Sequence, residues 1–252
     1  FVLSVDEQQA FLVSFYDSAL VIFNRNSQGD FQYQQTISDD LKWFTETGSS
    51  LPVVEKFDKL ALLGAYDIAI TPDNKQLLIA SSASNALSIF DLDVNGQVSS
   101  KQIIRDSQDQ RYALTSAVSV ITAQDNKHVF VSSYEENAVT IFTRSNTGEL
   151  TFLQTLRNNF QEIKLMNNPH SLAISANSKF LYVASNGAVV VFEQKNGKYT
   201  YLQTISNNDK GVSGLSGSAG IALTPDGKYL AFISRDDFQS NLYLYDLKSG
   251  AE

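Results

Sequence analysis

Two markers recur five times along this chain in the same order. The first is the polar residue Asp6, Asp73, Asp125, Asn177 or Asp226, set in SVDEQQAFLVS, TPDNKQLLIAS, AQDNKHVFVSS, SANSKFLYVAS and TPDGKYLAFIS at spacings of 67, 52, 52 and 49 residues. The second is an aromatic, Phe23, Phe90, Phe142, Phe192 or Tyr245, in ALVIFNR, ALSIFDL, AVTIFTR, AVVVFEQ and NLYLYDL, spaced 67, 52, 50 and 53. Two markers sharing one rhythm define a structural repeat. A period of about 40–50 residues built from short strands predicts a β-propeller, one four-stranded blade per repeat.

The fourth repeat shows the strands most plainly. SLAIS turns through Asn177, Ser178 and Lys179 into FLYVAS, a short loop at Asn186 and Gly187 leads to AVVVFEQ, and Asn196-Gly197 gives a hairpin into KYTYLQTI. Apolar runs rich in β-branched and aromatic residues suit strands covered on both faces by neighbouring blades, and none of them carries a helical period. The expected fold is all-β: one propeller domain over 1–252, with blades at 1–37, 65–104, 116–156, 170–205 and 219–252 and an insertion at 38–64. The last blade is expected to lack its outermost strand. Phe1 falls within an innermost strand and the final residues reach only the turn after a third strand. The sequence is therefore expected to be a fragment of a longer ring, the alternative being a five-bladed propeller with an incomplete last blade.

Composition narrows the function classes. A formal charge of −8 argues against nucleic acid, since phosphate binding needs a basic surface. No apolar run reaches the length of a membrane-spanning helix. The absence of cysteine excludes disulfides, thiolate metal sites and a cysteine nucleophile. Neither a metal nor a cofactor is expected.

The segments TPDGKYLAFIS, SANSKFLYVASNGAVVVFEQ and AQDNKHVFVSSYEENAVTIFTR resemble the YVTN-type propeller repeat and the lactonase family of seven-bladed propellers, which includes 6-phosphogluconolactonase and carboxymuconate cyclase. Seven blades at this period would need roughly 350 residues. The resembling motifs are structural: Asp-Gly-Lys makes a turn and the alternating apolar residues make a blade, so they carry the fold more than the chemistry.

Function is expected on the face that bears the fourth-to-first and second-to-third strand connections, because length varies in the former, at 38–63, 105–115, 157–169 and 206–218. The insertion carries the only tryptophan, Trp43, with Asp39, Asp40 and Glu46 nearby. Its PVVEKFDKLALL stretch has the pattern of a short helix starting at Pro52, and the whole is either a packed cover or a loop that closes over a ligand. Of the two histidines, His128 replaces Tyr229 or Phe180 of the sister repeats and reads as a packing residue. His170 stands at the entry to an innermost strand, aligned with Tyr66, Val118 and Ala219, at the mouth of the central channel. It is either a polar lining residue or a functional group. The family resemblance implies that His170, with an acid and an arginine, could form a ligand-binding or catalytic set, for which Glu162, Arg111 and Arg235 are the candidates, with Tyr66 across the opening.

Two motifs are set aside. Asp91, Asp93, Asn95 and Gly96 mimic the start of a calcium loop but align with hairpin turns of the sister repeats, and the twelfth position is Gln102 rather than Glu. GVSGLSGSAG lacks the lysine and the helix of a phosphate loop. Two functions survive. The first is a non-catalytic module of a larger bacterial protein, periplasmic or at the cell surface, binding a protein, small molecule or carbohydrate through Trp43, Tyr66, Arg111, His170 and Arg235. The alternative is a lactonase-like enzyme acting on a sugar-acid or muconate-type lactone through His170, Glu162 and Arg235. Open blade ends are also expected to favour self-association.

Overall fold

The computed structural model describes residues 1–39, 58–207, 212, 214–215, 218–236 and 239–247, with the backbone alone at 218–219, 234–236 and 239–240. Trp43, Asp40, Glu46 and the Pro52 helix lie outside the described residues.

Nineteen strands follow one another among the described residues, with a single 3₁₀ turn at Asp106–Gln108. The first blade is β1 (Val2–Leu3), β2 (Gln9–Ser14), β3 (Ala19–Arg25) and β4 (Phe31–Ser38). The second is β5 (Ala65–Ile70), β6 (Gln76–Ser81), β7 (Ala86–Leu92) and β8 (Val98–Arg105). The third is β9 (Ala117–Thr122), β10 (His128–Ser133), β11 (Ala138–Arg144) and β12 (Leu150–Arg157). The fourth is β13 (Ser171–Ile174), β14 (Phe180–Ser185), β15 (Ala188–Lys195) and β16 (Lys198–Ser206). The fifth contributes β17 (Ser218–Leu223), β18 (Tyr229–Asp236) and β19 (Gln239–Asp246). Each sheet is ordered as the chain runs, four sheets having four strands and the last having three. This is the β-propeller architecture that the repeat predicts.

The first marker makes the turn between the first and second strands of each blade. Its carboxylate or amide oxygen accepts the N–H two residues on: Gln8 on Asp6 (3.2 Å), Lys75 on Asp73 (3.3 Å), Lys127 on Asp125 (2.8 Å), Lys179 on Asn177 (3.0 Å) and Lys228 on Asp226 (3.1 Å). The residue between sits at positive φ each time: Glu7, Asn74, Asn126, Ser178 and Gly227. Such Asx turns tolerate the left-handed region that asparagine and glycine favour. The aromatic marker lies on the third strand at a bulge against the fourth, shown by the register shifts at Phe23, Phe90, Phe142 and Phe192. Asp93 accepts the N–H groups of Asn95 and Gln97, both at 2.8 Å, so the calcium-like motif is a hairpin turn whose carboxylate is spent on its own backbone.

The chain divides into two compact units, residues 1–110 with 114–120, and 111–113 with 121–252. In the first, Phe11, Leu20 and Ile22 of blade one interleave with Leu77, Ile79 and Phe90 of blade two. In the second, Tyr182, Val189 and Val191 of blade four face Leu230, Phe232 and Tyr245 of blade five. Cores of this kind, one sheet face against the next, are what the two-faced apolar strands require.

Candidate functional site

His170 is positioned by an asparagine framework within the second unit. Its N–H donates to Ala184 O (3.1 Å), continuing the β13–β14 ladder by one residue, and its Nδ1 lies 3.1 Å from Asn168 O. Asn168 is itself held from three sides: its N–H donates to Asn137 Oδ1 (2.8 Å), its Nδ2 to Tyr134 O (3.1 Å), and Asn186 Nδ2 donates to its Oδ1 (3.1 Å). The adjoining Asn167 accepts Asn158 Nδ2 at 2.6 Å and the Asn186 N–H at 2.9 Å. Two turns and one long connection thus fix a single imidazole.

A carbonyl oxygen only accepts, so the Nδ1–H of His170 donates to Asn168 O and Nε2 keeps its lone pair. Nε2 is buried and has no hydrogen-bond partner among the described residues. Burial pushes the imidazole pKa below its ordinary 6.5, because charging a desolvated ring is costly. The ring is therefore neutral near pH 7, in the tautomer a general base needs.

The other sequence-predicted residues that the structure describes make contacts of their own. The Arg111 guanidinium packs over the Phe152 ring at 4.7 Å while its carbonyl accepts from Thr155 Oγ1 (2.6 Å), so it attaches to the outer strand β12. Glu162 is exposed in the β12–β13 connection. No hydrogen bond or ion pair joins His170 to either among the described residues; its polar contacts are those with Asn168 and Ala184. Arg235 pairs with Ser240 through the β18–β19 ladder, and its side chain is outside the described residues, as is all of Trp43. In the first unit Tyr66 is 57% exposed at a bulge of β5, edge-on to Phe15 at 6.1 Å, and Phe15 is edge-on to the exposed Tyr16 at 5.2 Å. His128 behaves as a packing residue: Asp125 Oδ2 lies 2.6 Å from its Nδ1, and its ring stands 5.8 Å from Tyr199.

Two features escaped the sequence reading. Asp67, one residue past Tyr66, accepts the Val120 N–H (2.9 Å) and Ser119 Oγ–H (3.1 Å) from the next innermost strand, and burial raises its pKa. A loop latch also repeats. Asp106, Asn158 and Asn207 accept the N–H groups of Leu114, Met166 and Leu215, each eight residues later, and Asp39 does so for Leu62 across twenty-three. An Asp or Asn eight residues before a buried Leu or Met, just past the fourth strand, is its signature.

The profile described as Lactonase, 7-bladed beta-propeller matches residues 1–155 and 169–251. The chain belongs to this family. The matched residues include His170 and Arg235 but not Glu162. Among solved structures it is similar to a Lactobacillus plantarum protein (TM-score 0.72, 16% identity, 98% of this chain and 67% of that one). A candidate 6-phosphogluconolactonase of Bacteroides uniformis aligns at TM-score 0.70 and 20% identity over 97% of this chain and 66% of that one. A periplasmic gluconolactonase of Pseudomonas aeruginosa aligns at 0.68 and 17% over 98% and 68%. This chain spans about two thirds of the length of these proteins, and at such identities the likeness is one of fold. Comparison with curated proteins returned no match.

Proposed function

We propose that this lactonase-family chain acts on a sugar-acid lactone, with His170 as the general base that activates water against the ring ester. The observation that carries the reading is the imidazole beside β13, neutral by burial and held through Nδ1 by Asn168 O, so that Nε2, buried and without a partner among the described residues, accepts a proton only from a water admitted with the substrate. Water attacks the lactone carbonyl as Nε2 takes its proton. The tetrahedral intermediate collapses, the ring oxygen leaves as an alcohol on receiving that proton, and the open hydroxy acid is released. Family membership and the gluconolactonase names of similar proteins support the substrate class. The name of the Pseudomonas protein likewise supports a periplasmic or extracellular site of action.

A second reading, a non-catalytic module that binds a carbohydrate or protein, is favoured by the want of any bond between His170 and the other candidates among the described residues: the Arg111 guanidinium packs over Phe152, and Glu162 is exposed. Hydrolysis of glucono-δ-lactone and muconolactone, measured for the wild type and His170→Ala, separates the two. General-base catalysis predicts a loss of about 10²–10⁴-fold in kcat with the melting temperature retained, and a wild-type acid limb inflecting below the ordinary imidazole value. Wild-type hydrolysis no faster than buffer removes the enzyme and leaves the binding module.

A further inference from the structure

The carbonyl that faces His170 belongs to a residue braced from the preceding blade. Asn168 O accepts from His170 Nδ1, while the Asn168 side chain is fixed separately, its Nδ2 donating to Tyr134 O and its Oδ1 accepting from Asn186 Nδ2, both at 3.1 Å. The backbone N–H of Asn168 has a different anchor, Asn137 Oδ1 at 2.8 Å. Asn137 is oriented by its own turn: its Nδ2 donates to Glu135 O (3.3 Å), which leaves Oδ1 toward Asn168.

Asn168 needs that anchor. It sits at φ 48°, in the left-handed region, and the next residue is Pro169. Left-handed backbone is disfavoured for a residue with a Cβ, and a following proline draws the residue before it to extended backbone. Two preferences oppose the observed conformation, and the hydrogen bond from blade three supports it. Turning Asn168 to extended backbone swings its carbonyl away from His170 Nδ1. The imidazole then loses the acceptor that selects its Nδ1–H tautomer.

The same brace occurs where no histidine follows. Asn85, in the β6–β7 turn at φ 49°, accepts the N–H of Ser116 at 2.8 Å, and Ser116 is itself left-handed at φ 56°. In the corresponding turn of blade four the left-handed residue is Gly187, so the repeat accommodates glycine at this place. The brace is a fastening of the fold, and ahead of β13 it is joined to an imidazole.

We propose that Asn137 is the positioning residue of His170: acting through the Asn168 peptide, it holds the imidazole in the Nδ1–H tautomer and keeps the Nε2 lone pair available. The proposal rests on the reading of His170 as a general base for its catalytic consequence, whereas the tautomer is read without substrate.

The chain has two histidines, so labelling histidine with ¹⁵N gives two pairs of ring-nitrogen resonances, assigned by the pair lost in His170→Ala. In the wild type above neutral pH, His170 Nδ1 should resonate as a protonated nitrogen and Nε2 as an unprotonated one. Asn137→Gly removes the acceptor without placing a Cβ at positive φ. It should shift the tautomer ratio about fivefold toward Nε2–H, the worth of one hydrogen bond, and draw the two resonances together. Asn137→Asp keeps the oxygen and should restore the wild-type pattern. Asn85→Gly removes the same brace elsewhere and should leave His170 unchanged. The His128 pair is the internal control, since its Nδ1 faces Asp125 Oδ2. On glucono-δ-lactone, Asn137→Gly should lower kcat about fivefold with KM held. A wild type that hydrolyses no lactone removes the general base and leaves the tautomer shift to decide the role of Asn137. An Asn137→Gly protein whose His170 nitrogens match the wild type overturns the proposal, as does an Asn85→Gly protein in which they move as far.

Discussion

Asp67 illustrates a residue whose role no local pattern announces. Its partners Val120 and Ser119 are 53 and 52 residues away, so only the closing of one blade on the next brings them together. Burial is the largest influence on its carboxyl and raises the pKa, while the three donors from Val120, Ile68 and Ser119 oppose it. The sign follows. A carboxyl that holds its proton more tightly when folded favours folding in acid, and that advantage is lost as pH rises through the unfolded and then the folded pKa. Asp67→Asn keeps an acceptor and removes the charge, so its stability should fall less steeply than the wild type's between pH 4 and neutrality. Asp67→Ala leaves two inward donors unpaired and should cost about 1–3 kcal/mol at pH 7. Urea denaturation of both variants at the two pH values checks this; an Asn variant as unstable as Ala with an unflattened profile would show that the charge itself holds the strands. The place of His170 beside an innermost strand was legible from the repeat register, whereas the asparagine framework around it was not, since Asn137, Asn158 and Asn186 come from three separate connections.

At the level of elements, the sequence displayed what is local and repeated. The Asp or Asn turn and the aromatic on the third strand each act within one blade, so their spacing located the turns and the order of the strands. The latch acts between connections, and a clasp acts between blades: the Tyr199 N–H donates to Gln154 Oε1 and its carbonyl accepts from Gln154 Nε2, both at 2.9 Å. Their residue types vary from repeat to repeat: Asp106 but Asn158, Tyr199 but Leu150. Variation of that kind hides a rule until geometry reveals it. The clasp also has a measurable weight. Tyr199→Phe removes a buried hydroxyl bond to Ser178 O and should cost about 1–2 kcal/mol. Gln154→Ala unpairs both backbone groups of Tyr199 and should cost about 2–3 kcal/mol. Gln203→Ala, at the equivalent position one blade on, should stay within about 0.5 kcal/mol of the wild type, as surface substitutions do. Chemical denaturation of the three variants side by side gives the ranking, and a Gln203 variant as damaging as the Gln154 one would mean that the fourth and fifth blades are already clasped.

Within the second unit blades four and five meet face to face, and the other face of the fifth blade carries exposed aliphatic side chains. Val189 and Val191 of blade four are 1% and 2% exposed beneath blade five, whereas their counterparts Leu242 and Leu244 on β19 are 70% and 65% exposed, with Ile233 of β18 beside them at 44%. Three large aliphatic side chains on one sheet face form the kind of patch that proteins cover by association. The expectation is concentration-dependent self-association through this face, growing with salt because it is apolar and because screening relieves the repulsion between chains of charge −8. The double variant Leu242→Lys and Leu244→Lys should be monomeric over the same range and nearly as stable, since both side chains are largely in water already. Adding lysines lowers the net negative charge, so any loss of association could not be ascribed to greater repulsion between chains. Sedimentation velocity over a tenfold range of concentration decides the matter: a wild-type mass that does not change, or a variant that associates as the wild type does, would show that this face is not where copies meet.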